Sequence, residues 1–111
     1  RALRRITVVP PLAYLDFLHL VRHARVVLTD SGGVQEETTI LGVPCLTLRD
    51  TTERPITVTN GTNHLVGLEV ERIVEGVAAA DRMMEAPMAP PLWDGRASNR
   101  IAGILSEVFS V

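Results

Sequence analysis

The sequence predicts an α/β domain, a parallel β-sheet with helices on both faces. Three observations carry this. Apolar, β-branched runs at Arg25–Thr29 and Val43–Leu48 read as buried strands. Between and after them lie longer segments whose apolar residues recur at helical spacing. Glycine turns stand at the joints, Ser31-Gly32-Gly33 after the first run and Gly42 before the second. Strands alternating with helices in this way build a sheet layered between helices.

Taken in order, Ile6–Val9 reads as a short strand closed by Pro10-Pro11, and Leu12–His23 as a helix with Leu15, Leu18 and Val21 among its apolar positions. After the strand Arg25–Thr29, a helix begins near Gly33 and ends at Leu41-Gly42, with Gly42 as its C-cap. The strand Val43–Leu48 carries Pro44 at its start, where a missing N–H does least harm. Thr57–Gly61 reads as a turn or short helix after Pro55, and His64–Val66 as a short strand. Glu69–Met84 is amphipathic, with Val70, Ile73, Val74 and Val77 at the spacing of one buried stripe. Glu85–Trp93 is a proline-rich loop, and Asp94 is placed to cap a last helix carrying Ile101, Ile104, Leu105 and Val108. Cys45 is the single cysteine. It reads as a small buried hydrophobe, which excludes an internal disulfide or a cysteine metal cluster.

Composition bounds the class. The 111 residues are 46% hydrophobic and 22% charged, ordinary for one globular domain with a modest core. The net charge of −2 favours neither nucleic acid nor an anionic membrane as a partner. No apolar run is long enough to cross a bilayer, so a cytoplasmic location is expected. All eleven basic residues are arginine, a bias expected of a GC-rich genome. The chain opens on Arg1 with no initiator methionine or signal peptide, as expected of a truncated or processed piece. No internal repeat or low-complexity segment is visible.

The chemistry concentrates in two runs, Leu28–Glu37 and Arg49–Pro55. Gly32 and Gly33 let the chain turn sharply and let a ligand reach the main chain. The helix beginning there presents unpaired N–H groups and its positive dipole end, a ready place for phosphate. Ser31 either caps that helix or adds a hydroxyl donor. Glu37, about one turn in, suits the two hydroxyls of a ribose; Glu36 points about 100° away, so only one of the two faces a ligand. Arg49 and Arg54 flank Asp50, two threonines and Glu53 in a loop leaving the carboxyl end of a strand, where ligands of such sheets bind. Arg54 offers a forked donor to a diphosphate or a base carbonyl. The plainer reading pairs it with Glu53 or Asp50, and leaves the Ser-Gly-Gly turn as one of many that bind nothing. The two runs together describe a ligand anionic at one end and hydroxyl-bearing at the other, as a nucleoside diphosphate is.

The stretch from Leu28 to Gly67 resembles the carboxy-terminal half of the UDP-N-acetylglucosamine 2-epimerases of the non-hydrolysing bacterial type. Pro10–Phe17 and Asp94–Ala97 extend the resemblance upstream and downstream. The resemblance implies a GT-B architecture, two Rossmann-like domains with the substrate between them, of which this chain (1–111) is most of the second, UDP-holding domain. Position by position, it implies that Ser31, Gly32 and Gly33 hold the diphosphate through their backbone and Glu37 the ribose. Arg54 sits at the UDP, and Phe17 and the main chain near Leu12 contact the uracil. A member of the family has a glutamine at the position of Leu12, so only the backbone contact carries over there. It has Tyr-Gly where this chain has Leu92-Trp93, and Trp93 is expected to anchor its loop on the domain.

The implied reaction removes UDP by anti elimination, giving 2-acetamidoglucal, and re-adds it to give the C2 epimer. UDP-N-acetylglucosamine and UDP-N-acetylmannosamine are therefore the expected substrates, with no cofactor or metal. The carboxylates and histidine that this needs lie, in the family, outside the matching segment. No residue here is assigned a catalytic role, and His19, His23 and His64 read as structural or surface residues. The expected partners are the missing N-terminal catalytic domain and a second copy in a homodimer. The terminal helix (94–111) is expected to pack on that domain, fold back, or pair with another copy. Three readings compete: a hydrolysing epimerase, the donor domain of a GT-B glycosyltransferase, and a nucleotide-binding module without chemistry.

Overall fold

The structure is a computed structural model that describes residues 5–80, 82 and 90–109. Its elements run α1 (Tyr14–Arg22), β1 (Val27–Thr29), α2 (Gly32–Leu41), β2 (Cys45–Thr47), α3 (Pro55–Thr59), β3 (Asn63–Leu65), α4 (Val70–Ala80) and α5 (Ala97–Phe109). The three strands form one parallel sheet in the order β1-β2-β3, with Val27 opposite Cys45 and Cys45 opposite Asn63. The predicted α/β class with a parallel sheet is what is observed.

Side chains on a strand alternate between faces, and this sorts the core. Thr47 and Asn63 turn toward α2, where Asn63 bonds Gln35, while Leu46 turns toward α4. Helices thus cover both faces. Gly42 ends α2 in the left-handed conformation at φ 73, as its sequence position predicted. Cys45 is buried at the sheet centre, and burial pushes its thiol pKa up against the opposing effect of hydrogen bonds to Thr38 and Thr47.

Two expectations are corrected. Ile6–Val9 is exposed and makes no strand, because no described strand lies beside it to complete a hydrogen-bond ladder. Of the stripe Val70, Ile73, Val74 and Val77, only Ile73 is half-buried; Val70 is 72%, Val74 60% and Val77 40% exposed. The sheet meets Gly76 instead, and Ala80 is buried at the helix end. A Cβ at Gly76 would come within 2.9 Å of a Leu46 methyl, so the helix approaches on its small-residue face. The end of the predicted helix at Met84 and most of the Glu85–Trp93 loop lie outside the described residues.

The last helix buries none of its described residues, and Ile101, Ile104, Leu105 and Val108 are 49–67% exposed. Asp94 stands just before it. Its carboxylate accepts from the Arg96 N–H at 2.9 Å and from the Arg100 guanidinium at 3.0 and 3.1 Å. Arg100 also donates to the Leu92 carbonyl at 2.8 Å, holding the turn at Trp93. The Arg100 hydrogen bond, followed by that from Arg96, holds Asp94 below the usual carboxylate range. A lowered carboxylate pKa contributes stability above its unfolded value and loses it as pH falls through the folded one. The Asp94 carboxyl carbon, followed by NMR, should therefore titrate below the ordinary value of 3.8, with fraying at the start of α5 in the same acid window. Titration at or above that value would contradict these bonds, which tie Asp94 to Arg96, ahead of the first helical residue, and to Arg100 rather than capping an N–H of α5.

Candidate nucleotide site

The strands are parallel, so the segments leaving β1 and β2 emerge at one edge of the sheet. After β1 comes Ser31 and the start of α2; after β2 comes the loop from Leu48 to Arg54. Ser31 occupies the N-cap position of α2, yet its hydroxyl makes no capping bond. Its own N–H donates to the Thr29 hydroxyl at 3.0 Å. The first N–H groups of α2 consequently carry no side-chain cap, the arrangement that receives an anion. A Cβ added at Gly33 would meet only the Ser31 hydroxyl, at 3.9 Å. At Gly32 it would lie 3.4 Å from a Glu53 carboxylate oxygen and 3.8–3.9 Å from Cγ and Cζ of Arg54. Ser31, Gly32, Gly33 and Arg54 are therefore brought together, with the guanidinium over the start of the helix.

Arg54 is ion-paired, but with neither acid that the sequence suggested. Its Nε donates to Glu36 on the first turn of α2. Arg49 takes Glu53 at 3.0 Å, and Asp50 stands 3.5 Å from Arg72. Arg54 and Glu36 are both more than a third exposed, so this pair is screened and contributes little to stability. Glu37, the next residue on the helix, is half-buried and its carboxylate has no hydrogen bond or ion pair to another described residue. The two glutamates thus do diverge, with Glu36 committed to the arginine.

Phe17, half-buried on α1, lines a groove of about 290 Å³ with Leu20, Val21, Thr29 and Val34. Thr29 and Val34 bracket Ser31–Gly33 in the chain, so this apolar groove adjoins the helix start. Leu12 precedes α1, is 40% exposed and is not among the residues lining the groove. A second cavity of about 550 Å³ opens at the same sheet edge, between the loops after β2 and β3, lined by Arg49, Asp50, Gly67 and Arg72 among others. Exposed His19 on α1 and His23 at its C-cap have ring centres 4.5 Å apart, tilted by 49°, and His64 is exposed on β3. This fits their reading as surface residues.

Sequence reasoning missed the cluster beneath the site. Gln35, Thr47, Thr57 and Asn63 are buried to within 2% of full burial and bond to one another from α2, β2, α3 and β3. Thr52 joins them from the loop through its bond to Gln35 at 2.5 Å. Buried polar groups persist only when paired. The signal in the sequence was the density of threonine and amide residues in segments that otherwise read as core.

Comparison with known proteins identifies the family and the fold. The UDP-N-acetylglucosamine 2-epimerase family profile matches residues 1–106. A UDP-N-acetylglucosamine 2-epimerase of Methanocaldococcus jannaschii is 45% identical over 103 residues, spanning 93% of this chain and 28% of that protein. The crystal structure of the epimerase from that organism with UDP-GlcNAc and UDP superposes with a TM-score of 0.73 at 45% identity, over 89% of this chain and 27% of that one. The epimerase of Neisseria meningitidis bound to UDP-GlcNAc gives 0.73 at 39% identity, over 89% and 28%. The chain thus spans less than a third of the length of these relatives and shares their fold over that part. On the match across nearly its whole length, the chain belongs to the UDP-N-acetylglucosamine 2-epimerase family.

Proposed function

We propose that this chain is the UDP-holding domain of a non-hydrolysing UDP-N-acetylglucosamine 2-epimerase. One observation carries the reading: an uncapped helix start with an arginine over it, beside an apolar groove, at the carboxyl edge of a parallel sheet. Solved relatives that share this part of the fold were crystallised with UDP-GlcNAc, one of them with UDP as well. In this reading the backbone of Ser31, Gly32 and Gly33 holds the diphosphate, and Arg54 adds charge to it. Glu37 accepts from the ribose hydroxyls. Phe17 covers the uracil, with a main-chain contact near Leu12. The terminal helix packs on the N-terminal domain, and the whole protein works as a homodimer in the cytoplasm.

The whole enzyme then interconverts UDP-N-acetylglucosamine and UDP-N-acetylmannosamine. In the first step the C2 proton and the C1–O bond to UDP are lost together, leaving 2-acetamidoglucal. In the second, UDP and a proton return to give the epimer. This segment's part is to hold UDP while it is detached, so that re-addition is effectively intramolecular. The proton-transferring groups come from elsewhere in the protein.

Calorimetric titration of the chain with UDP, with ADP and UMP as controls, tests the assignment. Selective binding of UDP is expected; equal binding of ADP would remove the uracil contact, and no binding to the folded chain would count against the site. The two glutamates divide the prediction further. Glu37→Ala should weaken UDP and uridine alike, by about 1.5–3 kcal/mol for a charged hydrogen-bonding group. Glu36→Gln should instead tighten UDP about two- to fivefold, because it releases Arg54 and removes a negative charge beside the diphosphate. Equal losses from both would show the helix face to be misassigned.

A further inference from the structure

We propose that Gln35 and Asn63 form a buried amide pair that positions Arg54, and that Asn63 is thereby a positioning residue for the nucleotide site. The inference rests on reading that site as the UDP site. Arg54 is half exposed, so little packing fixes its side chain. Its backbone, in contrast, is held at both polar groups. The Arg54 N–H donates to the Thr52 hydroxyl at 2.9 Å, and the Arg54 carbonyl accepts from the Thr57 hydroxyl at 2.7 Å.

Each of those hydroxyls is oriented by one of the amides. Thr52 gives its single proton to Oε1 of Gln35 at 2.5 Å, which leaves its oxygen free to accept from Arg54. Thr57 gives its proton to the Arg54 carbonyl, so it can only accept from Asn63, whose Nδ2 lies 3.0 Å away. The other Nδ2 proton of Asn63 goes to Gln35 Oε1 at 2.9 Å, and its Oδ1 accepts from Thr47. The directions of all these bonds are therefore fixed by proton counting. Asn63 and Thr57 are 0% and Gln35 2% exposed, so water cannot replace a lost member. Four elements and a loop converge on the backbone of one residue, the one whose guanidinium stands over Gly32.

The test is a double-mutant cycle in the chain, combining Asn63→Leu with Arg54→Ala and reading UDP affinity by calorimetry. The exchange rate of the Arg54 backbone N–H is read by NMR without ligand. Val43→Ala, which opens the core away from the cluster, serves as the control for lost stability alone. Asn63→Leu should weaken UDP about three- to tenfold, speed Arg54 N–H exchange by a similar factor, and have no further effect on UDP once Arg54 is alanine. Val43→Ala should do neither. If Asn63→Leu does not fold, Thr57→Val carries the same cycle by deleting the hydroxyl that links Asn63 to the Arg54 carbonyl, while the Thr57 N–H keeps its own 3.0 Å bond to that carbonyl. The proposal is overturned if Arg54 exchange is unmoved, if the loss persists without Arg54, or if Val43→Ala reproduces it. Should Arg54→Ala alone leave UDP binding intact, the UDP-site reading fails, while the exchange rate still decides whether the amide pair holds Arg54.

Discussion

Arg54→Ala weakens UDP by about ten- to a hundredfold and leaves uridine binding within about twofold, the outcome expected of a charged donor that serves only the phosphate end. The geometry gives the reason for the split. The guanidinium lies over Gly32, at the start of the helix rather than in the groove lined by Phe17. Arg54→Lys keeps the charge but loses the fork, so it should recover only part of the loss. Calorimetry with the two ligands distinguishes the alternatives for this residue. A parallel loss of uridine affinity would move Arg54 to the base carbonyl, and no loss with either ligand would leave it as the ion-pair partner of Glu36.

The second large effect is on stability. Gly61→Ala should cost about 2–3 kcal/mol, which for a domain of this size lowers the melting temperature by roughly 10–20 °C. Gly61 enters β3 from α3, and a Cβ there would stand 2.5 Å from both the Thr57 carbonyl oxygen and the Thr39 hydroxyl. The first contact is with backbone and cannot rotate away. Relief requires α3 to shift from α2, and with it Thr57 and the bond to Arg54. Thermal melts followed by circular dichroism check this. A shift of under about 3 °C would mean that the Thr39 and Thr57 region yields far more easily than its burial implies.

The legible parts of this fold were the local ones. Arg25–Thr29 and Val43–Leu48 are short runs rich in apolar and β-branched residues, and β1 and β2 form within them. Gly42 marked a helix end because only a left-handed residue could stand there, and it is found there. The expectations that failed depended on neighbours. Ile6–Val9 has strand composition, but a strand exists only where a partner lies beside it. On α4 the larger valines suggested the buried face, whereas close approach to Leu46 selected Gly76.

The candidate site divides in the same way. Ser31, Gly32 and Gly33 are adjacent in the chain and their turn chemistry is local, so they could be read directly. Arg54 was named from its loop, yet its partner Glu36 lies 18 residues away, and the nearer acids Glu53 and Asp50 went to Arg49 and Arg72. Gln35 and Asn63 are 28 residues apart, and nothing in either run marks them as a pair. Threonine is a common strand residue, so Thr47 by itself did not single out a buried hydroxyl, and Thr57 joins it only because α3 packs beside β3.

If the nucleotide binds between the start of α2, Arg54 and the Phe17 groove, two-dimensional NMR of the chain during titration with UDP shows it most directly. The backbone amides of Gly32, Gly33 and Val34, the Arg54 Nε–H and the Phe17 ring should shift together along one saturating curve. Shifts confined to Arg49, Asp50, Gly67 and Arg72 would place the ligand in the neighbouring cavity and contradict this placement.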